Sequence, residues 1–318
     1  FYGRAKETKV IDFLGKKKIF FILSAVVIIA GFVTMGVHKG NGGDALNYSL
    51  EFKGGTSTNV EFNEDMSIEE LDEKVVPIIE EISKDANVQT QKVQGSNQVI
   101  FKSATLDVSQ REELNSRLEE EFGVDPEKIT AETISSTISS EMRTGAVSAV
   151  VVSTVLMLLY VWFRFKDVRF GASSVAALVH DVLVVLAFYA AARVSVGNTF
   201  IACMLTIVGY SINATIVIFD RIRENMTSYK TKEELAAIVN RSISQTLSRS
   251  IFTSLTTFIM VAVLYILGVS SIKEFALPLM VGIACGTYSS ICLASAFWYL
   301  LRTRVGGKKA EKNKKAAK

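Results

Sequence analysis

The chain has 318 residues, 49% of them hydrophobic, and a mean hydropathy of +0.31. These values place it with membrane proteins. Its three cysteines, Cys203, Cys285 and Cys292, all lie in apolar segments and exclude a disulfide framework. Cys285 and Cys292 are seven apart on one helix face, but no second ligand pair and no neighbouring His accompany them in the sequence. They read as buried small side chains, and no metal is expected. Residue 1 is Phe, so the start reads as a processed, trimmed or fused boundary.

Six apolar stretches are long enough to cross a bilayer, which takes about 20 helical residues. They are Ile19–Val37, Gly145–Phe163, Phe170–Ala192, Gly197–Phe219, Ile251–Val269 and Phe275–Leu301. The first is too long for the core of a signal peptide and no small-residue cleavage site follows, so it reads as an uncleaved anchor. The expected fold is an α-helical polytopic membrane protein with six transmembrane helices and one small α+β domain, ferredoxin-like, outside the cytoplasm between the first two. The chain then divides into a cytosolic flank (1–18), the first span (19–37), that domain (38–144), a bundle of five further spans (145–301) and a basic tail (302–318).

The stretch from His38 to Arg143 carries 22 acidic and 10 basic side chains, whereas the rest carries 10 acidic and 25 basic, so the formal +3 hides two opposite regions. Tyr48–Phe62 reads as a strand broken at Lys53-Gly54-Gly55-Thr56. Ser67–Ser83 reads as an amphipathic helix with Leu71, Val75, Ile78, Ile79 and Ile82 on one face, opened by a Ser67/Glu70 capping box. Asn87–Val93 and Gln98–Phe101 read as strands around a Gly95-Ser96-Asn97 turn. Ser109–Phe122 is a second helix, with Leu114, Leu118 and Phe122 on one face, and Lys128–Ile134 a last strand. This β-α-β-β-α-β order suggests the ferredoxin-like sandwich. Gly54-Gly55 is not followed by a Lys-Ser/Thr pair or a helix, which excludes a phosphate-binding loop and favours a bulge or tight turn. Nothing else matches a nucleotide loop, so no cofactor is expected and nucleotide hydrolysis on this chain is not the energy source.

Orientation follows from Lys and Arg in the short flanks. Arg4, Lys6, Lys9 and Lys16–Lys18 precede the first span. Arg164, Lys166 and Arg169 follow the second, and Arg221, Arg223, Lys230, Lys232, Arg241 and Arg249 follow the fourth. The tail holds Arg302, Arg304, Lys308, Lys309, Lys312, Lys314, Lys315 and Lys318, while the opposite loops hold only Arg193 and Lys273. Both termini are expected in the cytosol. The tail reads as a solvated flank against anionic lipid or a ribosome rather than as a nucleic-acid site.

Within the spans, polar groups are costly and point to function or to inter-helix contacts. His180-Asp181 sit about ten residues into the third span, roughly 15 Å deep at 1.5 Å per residue. A proton or ion path and a structural polar contact are both open readings there. In the fourth span Ser211 and Thr215 share a face and Asn213 lies well round the helix. The fifth begins near Arg249 and continues with Ser250, Thr253, Ser254, Thr256 and Thr257. Arg249 reads either as a snorkelling boundary residue or as a fixed charge beside a proton carrier. Leu235, Ile238, Val239, Ile243 and Leu247 suggest a short interfacial amphipathic helix before the fifth span. Gly282-x-x-x-Gly286, with Ala284 and Ser289-Ser290 nearby, allows close helix approach in the sixth.

Several of these segments carry a family resemblance. They are Val208-Gly209-Tyr210-Ser211-Ile212-Asn213 with Asp220-Arg221-Ile222-Arg223-Glu224-Asn225, Phe52-Lys53-Gly54-Gly55-Thr56, Ala177-Leu178-Val179-His180-Asp181, and Gln245-Thr246-Leu247-Ser248-Arg249. Over nearly its whole length the chain resembles the SecF branch of the SecD/SecF family, in the RND superfamily. The resemblance implies a non-enzyme in a bacterial or archaeal cytoplasmic membrane, with SecD as partner in trans or fused. It further implies work beside SecA and the SecYEG channel, where a preprotein is drawn out at the outer face by the proton motive force.

It also implies an intramembrane Asp after Gly-Tyr-Ser-Ile-Asn, acting as a proton-relay acid with a SecD carboxylate and the arginine matching Arg249. Here that position is Ala214, which cannot hold a proton, and Glu51 stands where the family has Asp. Three readings of Ala214 are open: an introduced change that stalls the cycle, a natural change with Asp181 or a SecD carboxylate carrying the proton, or use of another ion. The alternative functions are half of an RND-type exporter of small molecules or lipids, and a passive scaffold for the channel.

Overall fold

The computed structural model describes residues 10–85, 88–93, 96–165, 167–226 and 231–303. The predicted Gly95 turn, the start of the Asn87 strand, the far N-terminal flank and nearly all of the basic tail lie outside the described residues. The chain falls into two compact units, one of residues 42–148 and 195–198, the other of the chain before, between and after them.

The smaller unit is built on a four-stranded antiparallel sheet in the order β2-β3-β1-β4, formed by β1 (Gly55–Glu61), β2 (Gln89–Lys92), β3 (Gln98–Ser103) and β4 (Ile129–Ile134). Side chains alternate along a strand, so Thr56, Thr58 and Val60 on β1 and Val99 and Phe101 on β3 are all buried. Against them pack α3 (Ile68–Lys74), α4 (Val76–Ser83) and α5 (Val108–Phe122), which contribute Leu71, Ile78, Ile79, Ile82, Leu114 and Leu118 to one core.

Two expectations for this unit are corrected. The strand does not begin at Tyr48. Leu50–Lys53 forms a helical turn (α2), because the N–H groups of Lys53 and Gly54 close back onto the carbonyls of Ser49 and Leu50. Gly54 and Gly55 then carry φ of 76° and 119°, which side chains with a Cβ rarely adopt, and the strand starts only after this reversal. The helix expected over Ser67–Ser83 is two helices that meet at Val75. Pro77, in the first turn of α4, has no N–H to bond the carbonyl of Glu73. The Ser67/Glu70 capping box is present, and a second box, Asp107/Gln110, opens α5.

The larger unit is helical. Six helices are long and apolar enough to cross a membrane. They are α1 (Lys17–Gly40), α6 (Ser136–Phe165), α7 (Val168–Ala192), α8 (Asn198–Asn225), α9 (Lys232–Leu267) and the run that starts as α10 (Ser270–Tyr288). The run does not stop at Tyr288: Ser289–Ala294 is π-helical, and the helix resumes to Thr303. The separate interfacial helix expected before the fifth span does not exist. Its residues are the first part of α9, a single 36-residue helix that contains neither Gly nor Pro and is capped by Thr231 on the N–H of Glu234. Phe165 and Trp298 stack on Phe170, and Phe219 meets Phe165 and Phe170 edge-on.

Candidate functional site

Asp181 on α7 is 1% exposed, and four side chains converge on it. Its Oδ1 lies 3.0 Å from His180 Nδ1 and accepts from the Cys285 thiol at 3.3 Å. Its Oδ2 accepts from Ser211 at 2.5 Å and from Ser289 at 2.8 Å. A buried carboxylate is tolerated only when its oxygens are satisfied in this way. The partners come from α8, α10 and the π segment, so one carboxylate ties three helical elements together.

Close packing makes this reach feasible. A Cβ at Gly282 would collide with Ile207, and one at Gly286 would sit 3.1 Å from Ser211 Cβ. Thr215 and Ser290 share a hydrogen bond of 2.9 Å, and Ser290 donates to the Ser211 carbonyl at 3.2 Å. Ser211 and Thr215 therefore occupy the buried face of α8, and Asn213 is exposed away from them. His180 and Cys285 also line a cavity of about 480 Å³ with otherwise mostly apolar walls, beside Ser24 and Tyr288.

The expectation that no His lies near a cysteine is overturned in space. His180 Nδ1, an Asp181 oxygen and Cys285 Sγ all lie within 4.8 Å of one another. One nitrogen, one oxygen and one sulfur donor suit a borderline metal such as zinc. Each is already held in the hydrogen bonds given above. The sequence did contain a signal: Cys285 and Ser289 are four apart and so face the same neighbour.

Ala214 and Arg249 belong to a second place. They line a cavity of about 70 Å³ between α8 and α9, with Tyr210, Asn213, Val217, Ser250, Thr253 and Ser254. The four residues expected around a proton path thus fall into two pairs, His180 with Asp181 and Ala214 with Arg249.

Several of the remaining motif residues make contacts between elements. Asp220 pairs with Arg164 at 2.8 Å, and Arg223 donates to the Arg164 carbonyl at 3.4 Å, joining α8 to α6. Arg221 and Asn225 both donate to Gln245 Oε1, at 2.7 and 2.8 Å, joining α8 to α9. Thr56 Oγ1 accepts from the Leu106 N–H at 2.8 Å, and Glu51 accepts from the Asn198 N–H at 2.8 Å. A Cβ at Gly209 would meet open space, and nothing in the structure accounts for glycine there. A contact that sequence reasoning missed ties the N-terminal flank to α9. Asn240 Oδ1 accepts from the N–H groups of Phe13 and Leu14, and its amide donates to Asp12.

Residues 114–304 match the family described as protein export membrane protein SecD/SecF, C-terminal. The chain is 36% identical over 301 residues to the protein translocase subunit SecF of Sebaldella termitidis, covering 94% of each. The chain belongs to the SecD/SecF family. As a member of this family of protein translocase subunits, with six apolar helices, it is a multi-pass membrane protein. It is also 34% identical to the protein translocase subunit SecDF of Bacillus subtilis, over 92% of this chain but only 38% of that longer protein. The crystal structure of SecDF from Thermus superposes with a TM-score of 0.77 at 34% identity, covering 95% of this chain and 40% of that one. The chain thus spans nearly all of the SecF relative and about two fifths of the SecDF proteins.

Proposed function

We propose that this chain is the SecF-type half of a SecDF complex, a non-enzyme that uses the proton motive force to promote preprotein export at the outer face of the cytoplasmic membrane. The observation that carries it is the full-length match to a SecF subunit. SecD, in trans or fused, is its partner, since the SecDF relatives hold a matching segment within a longer chain. The SecYEG channel and the emerging preprotein complete the assembly.

Both termini lie in the cytosol by the distribution of Lys and Arg, which puts the domain of residues 38–144 outside. We read that unit as ferredoxin-like, because its order β2-β3-β1-β4 has helices between β1 and β2 and between β3 and β4. Ala214 has no titratable group, so the proton on this chain is held at Asp181. What supports this is that Asp181 is an ionisable group inside a helix apolar enough to cross a membrane, and that its neighbour His180 lines a cavity. Protonating Asp181 removes the charge that holds Ser211 and Ser289, which favours a second helix arrangement.

Cells depleted of this chain should accumulate unprocessed preprotein, and restoring it should clear the backlog. Asp181→Asn should restore it poorly. Preprotein processing that is indifferent to depletion would sink the reading.

A further inference from the structure

The side chains around Asp181 are a set of metal donors as well as a hydrogen-bonded cluster. His180, Asp181 and Cys285 are 8%, 1% and 9% exposed, so this chain buries all three without help from a partner. Their ligand atoms form a small triangle. Asp181 Oδ1 lies 3.0 Å from His180 Nδ1 and 3.3 Å from Cys285 Sγ, and Sγ lies 3.9 Å from Nδ1. Tetrahedral zinc, with bonds of about 2.0 Å to nitrogen or oxygen and about 2.3 Å to sulfur, would place the same pairs about 3.3, 3.5 and 3.5 Å apart. No edge of the triangle needs to change by more than about 0.4 Å. The second oxygen of Asp181 is fixed by Ser211 at 2.5 Å and Ser289 at 2.8 Å, which keeps Oδ1 turned towards the other two donors. His180 and Cys285 both line the cavity of about 480 Å³, which leaves a fourth position open to a water.

We propose that His180 Nδ1, Asp181 Oδ1 and Cys285 Sγ bind one zinc-like divalent cation, which ties α7 to α10. On binding, the thiol releases its proton and becomes a thiolate. The imidazole stays neutral, with its proton on Nε2 and the Nδ1 lone pair on the metal. One thiolate and one carboxylate then balance the two positive charges of the ion, so the occupied site is neutral in its apolar surroundings. The mixed nitrogen, oxygen and sulfur set selects zinc over magnesium or calcium, which take oxygen ligands. The site rests on this packing alone and stands whether or not Asp181 carries a proton in the metal-free chain.

The test uses the purified full chain in detergent micelles, stripped with a chelator and titrated with cobalt(II) and then with zinc. The wild type should bind one cobalt per chain, with the near-ultraviolet charge-transfer band of a cobalt–thiolate bond. Zinc should remove the band at one equivalent, and a large excess of magnesium should leave it. Cys285→Ser should lose the band and keep the wild-type elution profile, since Ser still donates to Asp181. Cys203→Ser and Cys292→Ser, whose thiols lie outside the cluster, should keep the band. His180→Ala should weaken zinc binding about tenfold or more, at least the cost of losing an outer-shell partner. Absence of the band in the wild type would overturn the proposal. So would a band that survives in Cys285→Ser, a band that magnesium removes, or unchanged zinc affinity in His180→Ala.

Discussion

The Ser211 hydroxyl donates a 2.5 Å hydrogen bond to Asp181 Oδ2, and the Ser289 hydroxyl reaches the same oxygen at 2.8 Å. Asp181→Leu would leave the Ser211 hydroxyl buried without its acceptor, while Ser289 would keep the Gly286 carbonyl at 3.2 Å. A buried hydroxyl without a partner costs about 1–3 kcal/mol. The variant should therefore lose several degrees in thermal unfolding in detergent, whereas Asp181→Asn, which keeps an acceptor oxygen, should lose less. Equal losses would show that packing and not hydrogen bonding dominates.

Gly282 lies where a Cβ would collide with Ile207. Gly282→Val should overpack the α8–α10 contact and destabilise the bundle by about 1–3 kcal/mol. Adding Ile207→Ala should recover part of that loss, because it makes room at the point of collision. A double variant no better than Gly282→Val alone would place the strain elsewhere.

The two capping boxes of the smaller unit make its stability depend on pH. The Ser67 N–H, with its hydroxyl, holds Glu70 below the usual carboxylate range, and the Gln110 N–H, with the Ser109 hydroxyl, does the same for Asp107. A carboxyl depressed by folding contributes stability above its unfolded pKa, about 4, and loses it as the pH falls through its lower folded value. Amide hydrogen exchange in α3 and α5 should therefore be unchanged between pH 7 and 5, after correction for the intrinsic rate. Protection should fall below about pH 4. In Asp107→Asn the acid-dependent loss in α5 should shrink, and a full-sized loss in that variant would exclude the cap as its source.

Most of the architecture was legible because its signals are local. Apolar length marks a span, and a Ser-x-x-Glu pattern marks a helix start, as at Ser67. Misreadings arose where backbone geometry outweighed side-chain pattern. Tyr48–Lys53 has strand-like residues but turns into helix ahead of two positive-φ glycines. Pro77 divides a continuous apolar face by removing one N–H. At the site, the polar residues of α7 and α8 stood out individually against apolar neighbours. Their pairing did not, because Cys285 and Ser289 lie more than a hundred residues from Asp181 in sequence. The π segment at Ser289–Ala294 has no simple residue signature and appears only in the fold.

The central claim is that this chain couples proton flow to export. It is tested most directly in proteoliposomes that contain the chain, SecD and SecYEG, with a preprotein arrested partway through. Completion of translocation is followed against an imposed proton gradient, with a pH dye in the lumen. The account predicts faster completion with the gradient than without it, accompanied by proton movement, reduced in Asp181→Asn and raised in Ala214→Asp. Completion at the same rate with and without the gradient in the wild type would contradict it.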